Sequence, residues 1–201
     1  MPGKRKPHHL AAYAATEIHN HDWFIPQCGS INVFSRGQLQ TALQNLGWRK
    51  IGQGGHSVVL RHDDRPWLLK IFDNSNQKWL EYIWWARDHA DNPHIIRTQG
   101  DLVPVTPDFW AVRMEPLECI YHDSFFLQYV DPKLLGSIKY SRHTVMALHH
   151  IADNRPWLCQ QWPQLAEVLH GLEIVLGNPV LDLDISNIMR RGATLVYTDP
   201  V

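Results

Sequence analysis

This chain has almost no excess of charge of either sign. Its 19 Lys and Arg nearly balance 20 Asp and Glu, leaving a formal net charge of -1 at pH 7, which argues against nucleic acid as the main partner. Cysteine is scarce. Cys28, Cys119 and Cys159 are odd in number and share no metal-ligand spacing, so a reducing cytosol is the simpler setting. No apolar run approaches the roughly 18 residues that a membrane span needs. Leu10 to Glu17 is too short and too interrupted for a signal peptide, although Met1 to Lys6 is basic. These absences point to the cytoplasm of the cell that makes the chain. Internal repeats and low-complexity tracts are lacking too, and with them any argument for a solenoid.

What is present suits a packed globule. The 201 residues are 44% hydrophobic and include nine Trp, enough for one domain or one small two-lobed unit. Residues 1 to about 30 hold Pro2, Pro7, Pro26 and Gly29 and read as an irregular arm, with one short helix from Leu10 to Ile18. His19 and His21 have the spacing of a metal pair, but no further ligand stands near them, and solvated histidines are the competing reading. Ser35 followed by Gln38 forms a capping box. Leu39, Leu43 and Leu46 then mark one face of a helix that Gly47 closes.

Trp48 to Leu60 reads as strand, glycine turn, strand, with Gly52-Gln53-Gly54-Gly55 at the turn. Glycines there let backbone N–H groups approach phosphate oxygens, and an ordinary hairpin turn explains them equally well. No helix pattern follows, which removes the dinucleotide-binding fingerprint. Trp67 to Phe72 is an apolar strand with Lys70 inside it, and an ammonium in such a strand is costly unless paired or used on a ligand. Asn76 to Ala90 is helical, and Glu81 is its only glutamate. On so apolar a segment Glu81 wants a counter-ion; a surface pair with Lys78 is the alternative. Ile95 to Val105 and Phe109 to Leu117 read as strands. Helical periodicity follows over Tyr121–Val130, Ser141–Ala152 and Pro163–Leu176. The end of the chain sets Asp182 and Asn187 in a D-x-x-x-x-N arrangement, followed by a hairpin turning at Arg190-Arg191-Gly192 and then Asp199. Such a hairpin brings Asp199 back towards Asn187.

Glycine turn, strand lysine, helix glutamate, long helix, D-x-x-x-x-N and a final Asp, in that order over residues 48 to 201, resemble the protein-kinase-like superfamily. Asn187-Ile-Met189 and Tyr197-Thr-Asp-Pro-Val201 resemble in particular the early Ser/Thr protein kinases of short-tailed T-odd coliphages. The resemblance implies an α+β, two-lobed fold: an arm and leading helix over 1–47, a small antiparallel-sheet N-lobe with one helix over 48–115, and a reduced, mostly helical C-lobe over 116–201. It implies that ATP is held by Gly52, Gln53, Gly54, Gly55, Ser57 and Val59, with Ser57 where a third glycine is usual. Lys70 would contact the α- and β-phosphates and pair with Glu81. Met114 would be the gatekeeper, with Glu115 and Leu117 offering backbone to adenine. Asp182 would orient the acceptor hydroxyl, while Asn187 and Asp199 hold Mg²⁺. The acceptors it implies are host transcription or RNA-processing proteins, or the chain itself, in the host cytoplasm.

Three features depart from the family. Val180-Leu181 replace the usual His-Arg, Asp184 stands where Lys or His is common, and no activation segment follows Asp199 within the sequence. They keep two other readings open: an inactive kinase-like protein that binds and inhibits a host target, and a small-molecule kinase.

Overall fold

The computed structural model describes residues 7–21, 25, 34–120, 164, 168, 171 and 185–199. The fold is mixed α+β and divides into two compact units. Unit 1 is Met1–Gln77 with Thr98–Pro116, and unit 2 is Lys78–Arg97 with Leu117–Val201. Residues 1–47, set apart in the sequence as an arm, therefore share a unit with the glycine turn, while Lys78–Arg97 fall in the other. No helix among the described residues is long and apolar enough to cross a membrane.

Unit 1 is a five-stranded antiparallel sheet in the order β1-β2-β3-β5-β4, formed by β1 (Arg49–Gln53), β2 (Ser57–Arg61), β3 (Leu68–Asp73), β4 (Thr98–Thr106) and β5 (Phe109–Met114). Alternation along each strand gives the sheet two faces. One carries Val58, Leu60, Leu69, Ile71 and Ala111, which form a single cluster with Ala11, Ala14, Ala15 and Ile18 of α1 (Pro7–Asn20) and Leu39 and Leu43 of α2 (Arg36–Gln44). The capping box at Ser35 and Gln38 forms as the spacing requires. Gly47, at φ 92°, ends the turn after α2, and a Cβ there would also meet the His62 ring at 3.0 Å.

The helix expected from Leu10 to Ile18 is present and is longer than read. α1 runs 14 residues and its alanine face is fully buried. Alanine is the best helix former, and its small side chain lets a helix lie close on a sheet; Pro7 sits at the first helical position, where a missing N–H does no harm. Two arginines fix the end of α1. Arg65 donates to the His19 carbonyl and Arg113 to the His21 carbonyl, as cations at a helix C-terminus should. Arg113 is itself fully buried, its guanidinium 4.5 Å from the centre of the Trp67 ring. Trp67 packs on Trp48 at 5.1 Å, Trp48 on His62 at 5.5 Å and His62 on His19 at 5.0 Å. The His62 Nδ1 accepts from the Asp64 N–H, so its Nε2 carries the proton and donates to the Leu46 carbonyl.

Unit 2 contains α3 (Gln77–Asp88, all but its first residue), and a small three-stranded sheet, β6-β7-β8, of Glu118–Cys119, Ile188–Arg191 and Thr194–Tyr197. β7 and β8 are the hairpin expected from the sequence, with Arg191 opposite Thr194 and Gly192 at φ 58° in the turn. The turn thus falls one residue later than read. The helices read over 121–130 and 141–152 lie outside the described residues, as does nearly all of 163–176.

His19 in unit 1 and His94 in unit 2 are held below the ordinary imidazole range. The first cause for both is burial, joined at His19 by the Arg65 charge and opposed at His94 by its hydrogen bond to Leu195. Because the folded values lie below the unfolded value of about 6.5, the unfolded chain takes up protons first as the pH drops. Stability from these groups is present above pH 6.5 and lost as the pH falls towards the folded values. The expected result is a Tm that decreases from pH 7.5 to pH 5.5, with a shallower decrease in His19→Gln and His94→Gln; a flat wild-type profile would contradict it.

Candidate functional site

Register across the unit 1 sheet gathers one group of candidate residues. Gly52 is opposite Val59, Val59 opposite Lys70 and Lys70 opposite Val112. Residues directly opposite on neighbouring strands share a face, and this face is the one turned away from α1 and α2. Lys70 is buried, at 4% exposure, among Leu68, Phe72, Val112 and Met114 of the same face. Gly52, Ser57 and Val59 are half-buried, and Gln53, Gly54 and Gly55 are exposed.

The turn itself does not require its glycines. None of Gly52, Gly54 and Gly55 has a positive φ. A Cβ on Gly52 would find Val59 no nearer than 3.7 Å, one on Gly54 the Ser57 hydroxyl at 3.5 Å, and one on Gly55 nothing within 4 Å. Two hydrogen bonds close the loop, Gly54 N–H to the Ser57 carbonyl at 2.9 Å and Asp73 N–H to the His56 carbonyl at 2.8 Å. An ordinary hairpin turn that depends on glycine for its backbone is therefore not what these residues make.

Met114 is buried at the end of β5, and Glu115 and Leu117 are half-buried in the segment that follows. The chain passes from unit 1 to unit 2 between Pro116 and Leu117. Glu81 is exposed, which agrees with the surface alternative and not with a buried carboxylate. The phase of the helix explains this. Trp79, Tyr82, Ile83 and Ala86 form the buried face of α3, and Lys78, Glu81 and Trp84 lie on the opposite stripe. Trp84 is 47% exposed, so the apolar character of the segment overstated how much of it is core.

In unit 2 the hairpin draws the two candidate metal ligands together. Thr198 donates from both its N–H, at 2.9 Å, and its hydroxyl, at 3.0 Å, to the carbonyl of Asn187. Asp199 is the next residue. Asn187 closes a 3₁₀ turn, Ile185–Asn187, that leads into β7. The strand before Asp199 is held from several sides: Tyr197 N–H donates to His94, the Tyr82 hydroxyl to the Tyr197 carbonyl at 2.6 Å, and His94 Nδ1–H to the Leu195 carbonyl at 2.9 Å. Arg191 donates to the carbonyls of Pro93 and Ile95 at 2.9 and 3.0 Å, and Arg190 pairs with Glu118 across β6 and β7. Asp182 lies outside the described residues.

An amide oxygen and a carboxylate are hard oxygen donors of the kind Mg²⁺ takes, and a nucleotide-bound Mg²⁺ needs only one or two protein ligands beside phosphate and water. The donor set of Asn187 and Asp199 fits that ion. Among the described residues no three His, Cys, Asp or Glu side chains gather into a metal-holding group. Tyr82, His94, Arg191 and Thr198, which fix the hairpin, were not singled out from the sequence. Only Arg191, a charge at a strand end, carried a signal there. No protein-family model and no curated protein matches the chain.

Proposed function

We propose that the chain is a kinase-like phosphotransferase of two lobes that uses ATP and Mg²⁺, its acceptors being protein hydroxyls. The observation that carries this is the row of Gly52, Val59 and Lys70 on one sheet face, ending in glycines that neither φ nor packing demands. Bare backbone and a buried ammonium are what a triphosphate asks of a sheet. Lys70 neutralises α- and β-phosphate charge, and Asn187 and Asp199 supply oxygen ligands. Mg²⁺ held by Asn187 and Asp199 would supply positive charge to offset the negative charge that builds as the phosphates separate. Asp182 accepts the acceptor's proton while the acceptor oxygen bonds to the γ-phosphorus. The bond from that phosphorus to the β–γ bridging oxygen breaks, and ADP leaves. By resemblance the acceptors are host proteins met in the host cytoplasm. The exposure of Glu81 favours the second reading, an inactive protein that binds and inhibits such a target.

Gly52→Val and Gly54→Val test the proposal. A Cβ at either position meets only ordinary contacts, so Tm without ligand is expected to stay within about 1–2 °C, while stabilisation by ATP with Mg²⁺ should fall by most of its wild-type value. Equal stabilisation of wild type and both variants would leave the loop a turn and nothing more.

A further inference from the structure

We infer that Tyr82 and Trp79 are positioning residues for the metal ligand Asp199; the inference rests on the phosphotransferase proposal and adds two residues to its metal site. Both side chains are fully buried on α3, three residues apart and so on one helix face. Each donates to the backbone just ahead of Asp199: the Tyr82 hydroxyl to the Tyr197 carbonyl at 2.6 Å, the Trp79 indole N–H to the Thr198 carbonyl at 3.4 Å. A peptide group is planar. The plane that holds the Thr198 carbonyl also holds the nitrogen and Cα of Asp199, so a donor fixed on that carbonyl sets where the Asp199 side chain begins. On the other side of the same residue, the Thr198 N–H and hydroxyl grip the Asn187 carbonyl. The two ligand-bearing residues and α3 thus share one hydrogen-bonded frame. Mg²⁺ demands near-ideal octahedral geometry, so ligand spacing held by such a frame decides affinity, whereas apolar burial alone would be served as well by Phe at position 82.

Tyr82→Phe keeps the ring and removes only the donor, whereas Trp79→Phe removes the indole donor together with part of the buried ring. Mg²⁺ is titrated by calorimetry into each protein saturated with a non-hydrolysable ATP analogue, beside wild type and Asp199→Asn. Analogue binding is also measured in EDTA, and amide hydrogen exchange is followed over residues 195–199. The expected result for Tyr82→Phe is about tenfold weaker Mg²⁺ binding, the usual scale for a group that orients a ligand, with metal-free analogue binding unchanged and faster exchange at Thr198 and Asp199. Wild-type Mg²⁺ affinity in both Phe variants, with affinity lost in Asp199→Asn, would overturn the inference and leave the phosphotransferase proposal standing. Faster exchange or a lower Tm without a change in Mg²⁺ affinity would overturn it too, because that marks packing alone. If wild type and Asp199→Asn bind Mg²⁺ alike, the metal site and this inference both fail.

Discussion

Asp199→Asn is expected to remove metal-dependent nucleotide binding and phosphoryl transfer together, whereas Asp182→Asn is expected to keep binding and lose transfer. The difference follows from the two tasks. An amide at position 199 keeps the shape of the side chain but removes a full ligand charge from the proposed pair of one carboxylate and one amide donor. Position 182 holds no metal in the proposed arrangement; its carboxylate orients a hydroxyl and takes its proton, work that contributes typically 10²- to 10⁴-fold. Transfer by Asp182→Asn should therefore drop by about 10²-fold or more while its Mg²⁺ and ATP affinities stay near wild type. Radiolabelled phosphate transfer to a host-cell extract and to the protein itself, measured for all three proteins, separates the possibilities. No transfer by wild type with any divalent metal would end the enzyme proposal in favour of the inactive binder, and equal transfer by all three would remove these roles from Asp182 and Asp199.

Arg113→Ala is expected to be among the most destabilising single changes in unit 1. The side chain is fully buried, donates to the His21 carbonyl at the end of α1 and stacks on Trp67. Truncation opens a cavity and leaves a helix-end carbonyl short of a donor, a combined cost on the order of 3 kcal/mol. At about 2–4 °C per kcal/mol for a chain of this length, thermal unfolding of unit 1 should begin about 10 °C earlier. Arg65→Ala provides the comparison. Arg65 makes the same kind of bond to His19 but is half-buried, so water replaces part of what is lost and the shift should be near a third as large. Equal shifts in the two variants would mean that burial and ring stacking of Arg113 contribute nothing beyond the helix-end contact.

Local rules were legible where one residue type enforces one geometry. The capping box at Ser35 and Gln38 and the hairpin before Asp199 could both be read from spacing, because each closes within a few residues. Lys70 could be read as buried because an ammonium stood in an apolar run. The same argument applied to Arg113 between Val112 and Met114 would have found the anchor of α1, since burial of a guanidinium in a strand is as costly as burial of an ammonium. The middle of α1 was legible as a short helix from Leu10 to Ile18, and only its full length and its burial were hidden by composition. Pro and His drew attention, while Leu10, Ala11, Ala14, Ala15 and Ile18 already carried the period of a buried helix face. Of the two readings of Glu81, its exposure agrees with the surface one, which helical phase would have favoured over the total apolarity of a segment rich in Trp. The frame around Asp199 was not legible at all: Trp79, Tyr82 and His94 reach partners more than 100 residues away, and no local pattern encodes such a bond.

The position of α1 and α2 against the sheet has a consequence for how the chain emerges from a ribosome. Their apolar faces are complete once Gln44 has been made, but the strands they cover extend to Ala111, 67 residues later by subtraction. At about 5–20 residues per second that is a wait of about 3–13 s for the whole sheet, during which Ala11, Ala14, Ile18, Leu39 and Leu43 have only one another and then the first three strands to pack against. A nascent pair of helices in that condition is the surface a holding chaperone meets first, before the sheet is complete enough to cover it.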